Sequence, residues 1–336
     1  MIAYIARRLG LSILMIALVS VLVFVVLRLL PGDPTITRVG AAQAIDAKTL
    51  AAMRHSLGLD DPILVQYGRW IAGLFHGDLG QSYFSEYPVG ELIGQRIGAT
   101  VLLAVAGLVL GVLLTVPLAV LPAISRRKIW GRLVGGYSTV GMAAPPFVFG
   151  IILIAVFSVG LGWTPTGGYQ SLWSDPGASL RLLALPAVTL AITLSAPLVH
   201  YLRVSMREVE SAAYVRTATG KGLGRPGVVG GHVLPNALLP TLTAFGVMIG
   251  SVLGGVVVVE YVFRWPGLGS LIVDAVLQRD YAVLQSAVLL VAAAFVLANL
   301  LIDILAGLLD PRLRVGGART RARGTTAAAL ATGGAR

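Results

Sequence analysis

The sequence contains no cysteine among its 336 residues, and only 12% of its residues are charged. The absence of cysteine excludes a disulfide, a thiolate metal site and a cysteine nucleophile. The four histidines (His55, His76, His200 and His232) are scattered, and no pair has metal-ligand spacing. Soluble domains carry about 25% charged residues. A chain with half that charge and 56% hydrophobic residues is therefore a membrane protein.

A nucleotide-hydrolysing site is also missing. Gly220-Lys221 matches the end of a P-loop, but Gly222 stands where a Ser or Thr must bind magnesium, and Val215 occupies the first glycine position. No catalytic, metal-binding or cofactor-binding residue can be assigned, so we expect that this chain does not hydrolyse ATP.

Six apolar runs are each long enough to cross a hydrocarbon core, which needs about 20 helical residues. They cover residues 9–30, 100–121, 133–161, 182–202, 238–263 and 283–309. In the third run, Pro145 and Pro146 are predicted to break the helix near the middle of the membrane, because proline removes backbone donors. These prolines either lie along a translocation pathway or form a kink with no functional role, and the sequence favours neither alternative.

The excess of basic residues, 26 against 15 acidic ones, indicates topology. With both termini inside, 17 Lys and Arg residues fall on the cytoplasmic side and 9 outside, whereas acidic residues number 3 inside and 11 outside. This is the distribution that the positive-inside rule requires. It argues against a nucleic-acid partner and predicts a multi-pass protein of the bacterial plasma (inner) membrane.

A polar loop, residues 210–240, joins the fourth and fifth runs. In it Arg216-Thr217-Ala218 is followed after three residues by Gly222, and after nine more by His232-Val233-Leu234-Pro235. This spacing resembles the EAA signature of membrane subunits of binding-protein-dependent ABC importers, although Arg216 replaces the usual Glu. The alternative is a solvated basic loop tethered to anionic headgroups.

The resemblance implies that a short helix from this loop docks on a cytoplasmic ATPase. The residues that it assigns to the ATPase-coupling loop are Tyr214, Arg216, Thr217, Ala218, Lys221, Gly222, Leu234 and Pro235. The residues themselves agree, because 213–219 can form a helix that Gly220 and Gly222 end and that Pro226-Gly227 cannot continue.

The polar stretch after the first run predicts two short helices. One covers residues 45–57, and the other starts at Asp61 as N-cap with Pro62 at the first helical position. The stretch resembles the outer segment of B-type peptide and nickel permeases. Candidate contacts with a solute-binding protein are Trp70, Asp78, Gly80 and Ser82. The alternative is a lid packed on its own subunit.

Two further features lie in the last two runs. Gly246, Gly250 and Gly254 form a stripe of small residues that admits a close backbone approach. We favour a subunit-interface or pathway-facing role for this stripe over packing inside the subunit. Asn299 and Asp303 share a helix face, and for Asp303 a structural ion pair or water contact is favoured over a substrate or proton site.

The sequence therefore predicts an all-α polytopic membrane protein with six transmembrane helices, of the type I ABC importer fold, and a mostly helical extracytoplasmic insertion. The predicted divisions are residues 1–30 (N-terminal tail and first helix), 31–98 (insertion), 99–309 (five-helix permease core with coupling loop 205–237) and 310–336 (a disordered cytoplasmic tail).

The resemblance implies a permease subunit of an ATP-driven importer of di- and oligopeptides, with both termini cytoplasmic. Its implied partners are a homologous second permease subunit, two ABC ATPase subunits that bind ATP and magnesium, and an extracytoplasmic solute-binding protein. No cofactor is implied in this chain. Nickel chelate or glutathione remains an alternative cargo, and a self-contained secondary transporter is a weaker alternative.

Overall fold

A computed structural model describes residues 2–29, 58–85 and 87–309, together with Lys48, Ala51, Arg54 and His55. Within these residues the regular structure is helical, apart from one isolated antiparallel bridge between Gln81 and Pro88. The predicted helix over residues 45–57 lies largely outside the described residues, and the predicted tail 310–336 lies wholly outside them.

The described helices are numbered in chain order. They are α1 (Ile2–Leu29), α2 (Ile63–Phe75), α3 (Val89–Ile124), α4 (Lys128–Ala143), α5 (Pro146–Leu153), α6 (Pro176–Glu210), α7 (Ala213–Gly220), α8 (Arg225–Val228), α9 (Leu234–Val262), α10 (Leu268–Gln278) and α11 (Tyr281–Leu309). The segments Ile154–Gly160 after α5 and Val229–Val233 after α8 are π-helical.

Five helical segments of the described chain are long and apolar enough to cross a membrane, and the pair α4–α5 adds a sixth as a broken span. The two halves of this pair meet at 113°. Ala144 ends α4 and Pro145 is extended, so Pro146 can begin α5 at a position where its missing N–H costs no helical hydrogen bond. The predicted all-α, six-span architecture with a break at these prolines is confirmed.

Helix α6 lies at the centre of the molecule. About two thirds of its most apolar window is buried, a larger share than in any other candidate span of the described chain. Its Leu190 and Leu194 pack in one cluster with Leu103 of α3 and Val256 of α9. Helix α6 therefore packs against helices that precede it in the sequence and against helices that follow it.

Glycines bring α3 close to α6. A Cβ built on Gly107 would lie 2.6 Å from Leu190 Cβ, and one on Gly111 would lie 2.8 Å from Leu194 Cδ2. Real Cβ atoms do not approach this closely, so the helices can adopt this spacing only with glycine at both positions.

The insertion packs on the first span through α2. Trp70 stacks on Phe24 of α1 with ring centroids 6.0 Å apart, and the Tyr67 hydroxyl lies 2.9 Å from Ser20 Oγ. Tyr67 and Trp70 therefore face the first span. The predicted N-cap of α2 is wrong. Pro62 occupies the N-cap position, and the Asp61 carboxylate instead accepts a hydrogen bond from Arg69 at 2.7 Å.

Candidate functional site

The predicted coupling loop is a short helix packed against the ends of two long ones. Helix α6 continues to Glu210 and α8 begins at Arg225, so only residues 211–224 separate them. Within this connection α7 spans Ala213–Gly220. Gly222 has φ +85°, a left-handed conformation that favours glycine and turns the chain away from α7.

One face of α7 is buried and the other is free. Val215 and Ala218 are buried, and Val215 belongs to a cluster with Met206 of α6 and Val229 and Val233 before α9. The opposite face presents Tyr214, Thr217 and Lys221, which are exposed and share a helix side at spacings of three and four residues. Among the described residues this face packs against nothing, so it forms a small platform at the end of the bundle.

The other predicted coupling residues lie either against the buried cluster around Val215 or on the exposed surface. Arg216 is exposed, and its Nη2 donates to the Ser211 carbonyl at 3.0 Å, which ties it to the start of the connection. Leu234 is half-buried against the Val215 cluster, and Pro235 is exposed at the start of α9. Ala218 and Leu234 therefore hold α7 in place, whereas Tyr214, Arg216, Thr217, Lys221 and Gly222 are open to contact.

Arg225 links the ends of neighbouring helices, a role that the sequence pattern does not indicate. Its Nε donates to the Ala123 carbonyl at the end of α3, and its Nη2 lies 3.7 Å from Glu210 Oε1 at the end of α6. One side chain thus joins the ends of three helices behind α7.

The stripe of small residues in α9 packs mainly inside the subunit. A Cβ on Gly246 would lie 2.4 Å from Ile302 Cγ2, and one on Gly250 would lie 2.4 Å from Phe295 Cε2, both in α11. These contacts favour the packing alternative for Gly246 and Gly250. Gly254 is exposed with nothing within 4 Å of a Cβ, so a contact beyond the subunit stays a prediction for that residue alone.

Two of the four predicted contacts with a binding protein are inaccessible. Trp70 is only 9% exposed because it lies against Phe24 and Leu289, and Ser82 is 3% exposed. Neither can touch a soluble partner on this surface, and the prediction is wrong for both. Asp78 and Gly80 are exposed, with Asp78 Oδ1 accepting from Gly80 N at 2.8 Å.

Ser82 is buried because it anchors the insertion to the last span. Its Oγ donates to Asp280 Oδ2 at 2.5 Å, and Asp280 also accepts from the backbone N–H groups of Tyr83 and Val283. The carboxylate therefore caps α11 and holds the outer turn at the same time. This part of the insertion therefore packs on its own subunit, which agrees with the alternative that the insertion is a lid.

A second buried carboxylate, Glu260, organises the outer end of α9. It is fully buried and accepts hydrogen bonds from Thr100 of α3 and from the N–H groups of Gly269 and Ser270. The local sequence gives no signal for this role, because Glu260 lies in α9 and not at the N-cap of the helix whose N–H groups it accepts.

No metal centre is formed by the described residues, since no group of three or more His, Asp or Glu side chains is placed to hold an ion. The side chain of Asp303 lies outside what the structure describes, so its predicted ion pair stays a prediction.

Two family models cover nearly the whole chain. Residues 107–315 match "Binding-protein-dependent transport system inner membrane component", and residues 1–104 match the N-terminal membrane component of the same systems. One solved structure, described as "Crystal structure of an amino acid ABC transporter with histidines", aligns at 20% identity and a TM-score of 0.48 over 66% of this chain and 94% of that chain.

Curated relatives match over almost their full length. The chain is 40% identical to "Oligopeptide transport system permease protein AppB" of Bacillus subtilis, over 93% of this chain and 99% of that protein. It is 39% identical to "Glutathione transport system permease protein GsiC" of Salmonella paratyphi A, over 94% and 99%. It is 38% identical to "Probable peptide ABC transporter permease protein y4tP" of Sinorhizobium fredii, over 93% and 99%.

The family models and the curated relatives are membrane components, in agreement with the apolar helical spans of the described chain. The chain is a multi-pass permease of the inner membrane, and it belongs to the family of binding-protein-dependent transport system inner membrane components.

Proposed function

We propose that this chain is the permease subunit of an ATP-driven importer whose cargo is a di- or oligopeptide. The observation that carries the proposal is the full-length similarity, at 38–40% identity, to permeases named for peptide, oligopeptide and glutathione transport. Glutathione is itself a tripeptide, so the three names share one chemical class. In this role the chain forms the translocation pathway together with a homologous second permease subunit.

The exposed face of α7 is the surface that we assign to the ATPase contact. Tyr214, Thr217 and Lys221 are accessible there, while Val215 on the opposite side is buried in the core cluster. A force applied to this face by closure of the ATPases would move α7 together with the end of α6, because Val215 of α7 and Met206 of α6 pack in the same core cluster. Such a rigid lever can drive alternation between inward-open and outward-open states.

The remaining partners follow from the same assignment. A solute-binding protein delivers the peptide to the outer surface, where Asp78 and Gly80 are exposed. ATP and magnesium bind on two cytoplasmic ATPase subunits, and both termini of this chain lie in the cytoplasm, as the charge distribution requires.

Glutathione is the second candidate cargo, because relatives at 38–39% identity carry that name. Nickel chelate and a self-contained secondary transporter are weaker alternatives. The last would need buried ion-coupling acids in paired broken helices, whereas the two buried acids among the described residues, Glu260 and Asp280, are both held by hydrogen bonds.

The test is uptake of labelled substrates in vesicles that contain this chain alone or with its genomic neighbours, with and without ATP. Labelled dipeptides, oligopeptides, glutathione and a nickel chelate are compared in the same vesicles. We expect ATP-dependent peptide uptake only with the full set of subunits. Preferential uptake of glutathione or the nickel chelate would replace the peptide assignment, and ATP-independent uptake by the chain alone would overturn the importer mechanism.

A further inference from the structure

A basic groove lies beside the coupling connection, and none of its lining residues belongs to α7. Its volume is about 210 Å³, and it is formed where α3 ends, α4 begins, α6 ends and α8 starts. Its charged lining consists of Arg203, Arg207, Arg225 and Glu210. The remaining lining is small or apolar, with Ala119, Pro122, Ala123, Gly131 and Met206.

The groove carries more positive than negative charge. Glu210 provides the one carboxylate in the lining of the groove, and it pairs with Arg225 at 3.7 Å. Within the described part of the chain, neither Arg203 nor Arg207 forms an ion pair. Arg203 is half-buried, and its Nη2 donates only to the Gly131 carbonyl, at 3.4 Å. Since a guanidinium carries five N–H donors, most donors of these two arginines remain available to an anion.

The residues around the groove indicate which class of anion it binds. Helix α4 lines the groove with Gly131 and exposes Ile129, Trp130 and Leu133 on either side of it. Exposed aliphatic residues next to a tryptophan are typical of the boundary between acyl chains and headgroups. Basic pockets between transmembrane helices at this depth bind anionic headgroups.

We propose that this groove binds the phosphate of an anionic phospholipid headgroup, of the phosphatidylglycerol class, between Arg203 and Arg207. The lipid would neutralise the two arginines and connect the ends of α3, α4 and α6 immediately behind α7. Its acyl chains would lie along the apolar residues of α4. This proposal does not depend on which substrate the importer carries.

The test uses the full-length chain in its assembled complex, purified in detergent and stripped of bound lipid. Thermal unfolding is followed while phosphatidylglycerol, phosphatidylcholine or inorganic phosphate is added, and native mass spectrometry counts the bound lipids. The variant is Arg203→Gln/Arg207→Gln. The control is Arg181→Gln, which removes one positive charge from an exposed position at the opposite end of the same helix.

We expect phosphatidylglycerol to raise the unfolding temperature of the wild type, and phosphatidylcholine and phosphate to leave it unchanged. Each arginine removed should weaken the apparent phosphatidylglycerol affinity about fivefold, while Arg181→Gln keeps the wild-type value. If the double variant does not fold, Arg207→Gln alone, at an exposed position, provides the same measurement.

Four results would overturn the proposal. Equal stabilisation by phosphatidylcholine, or unchanged phosphatidylglycerol binding by the variant, would show that the groove does not select an anionic headgroup. Stabilisation by inorganic phosphate alone would identify a soluble anion as the occupant. Loss of the ATPase subunits from the variant, with lipid binding intact, would identify the groove as a protein contact.

Discussion

The Thr100 hydroxyl donates a hydrogen bond to Glu260 Oε1 at 2.7 Å, and this contact joins α3 to α9 across 160 residues of sequence. Glu260 Oε2 accepts from the backbone N–H groups of Gly269 at 2.6 Å and Ser270 at 3.2 Å. These are the second and third residues of α10, so the carboxylate caps that helix from outside. A Cβ on Gly267 would lie 2.0 Å from Glu260 Oε1, which explains the glycine before the helix.

The first prediction concerns this cap. Glu260→Ala should lower the free energy of unfolding by about 2 kcal/mol or more, because it leaves the buried donors of Thr100, Gly269 and Ser270 without an acceptor. Glu260→Gln should cost clearly less, since its amide oxygen can still accept from α10 and its NH2 can donate to Thr100 Oγ. Detergent-denaturation curves measure both, with the exposed Glu208→Ala as control. Equal losses for Ala and Gln would contradict the capping role.

The second prediction concerns the outer turn. Asp280 accepts hydrogen bonds from Ser82 Oγ and from the N–H groups of Tyr83 and Phe84. Asp280→Ala removes all of them, so residues 82–85 should become sensitive to limited proteolysis in the folded protein. The matched control is Asp274→Ala, whose carboxylate is half-exposed and lies 3.9 Å from Arg96. Unchanged cleavage in the Asp280 variant would show that other contacts hold the turn.

The third prediction concerns alkaline pH. Burial raises the pKa of the Tyr83 phenol above its ordinary value of 10.0, and Asp280 adds to this increase while Arg28 opposes it. The unfolded chain loses this proton near pH 10 and the folded chain at higher pH, so the contribution is fully present below pH 10 and is lost as the pH rises through the raised pKa.

Tyr83→Phe should therefore flatten the decline in unfolding temperature above about pH 10. Tyr87→Phe, which changes an exposed tyrosine in the same loop, should not. Unfolding temperatures measured across this range provide the comparison. Identical pH profiles for Tyr83→Phe and the wild type would contradict the burial argument.

The fourth prediction concerns the contact between α3 and α6. Gly107→Ala places a methyl group 2.6 Å from Leu190 Cβ, which forces the helices apart and should cost about 1–3 kcal/mol. Gly98→Ala on the same helix meets nothing within 4 Å and should be neutral or slightly stabilising. Thermal unfolding in detergent distinguishes them, and equal effects of the two substitutions would mean that the glycine contact does not set the helix spacing.

Hydropathy located the six spans but not their ends. The apolar run at residues 100–121 lies inside a helix that begins at Val89, and the run at 182–202 lies inside one that continues to Glu210. The flanking turns are too polar to raise the hydropathy, yet they stay helical because they pack on neighbouring elements. The break at Pro145 was predictable because proline acts through local backbone chemistry.

Burial of polar and aromatic residues was harder to foresee. Ser82 is buried by Asp280, 198 residues away, and Trp70 by Phe24 of another helix. Contacts between residues so far apart in the sequence produce no local pattern. Ser82 and Trp70 are residue types found in surface contacts, so both were predicted to lie in one. Helix α10 was missed for a related reason, since its first turn is bonded to two residues that lie outside it, Glu260 and Thr100.

Coupling through α7 is the central claim of this account, and Gly222→Trp tests it most directly. Gly222 is exposed, has φ +85° and no neighbour within 4 Å of a Cβ, so an indole there would block the approach to the platform. Gly162→Trp is the matched control, because Gly162 is equally exposed, has φ +65° and lies in the loop before α6, at the opposite end of that helix.

The measurement is ATP-driven peptide uptake by complete complexes in vesicles, together with the amount of each variant inserted and of ATPase bound. We predict normal insertion for both variants, transport close to wild type for Gly162→Trp, and loss of both transport and ATPase coupling for Gly222→Trp. Wild-type uptake by Gly222→Trp would contradict the assignment of α7 as the coupling element.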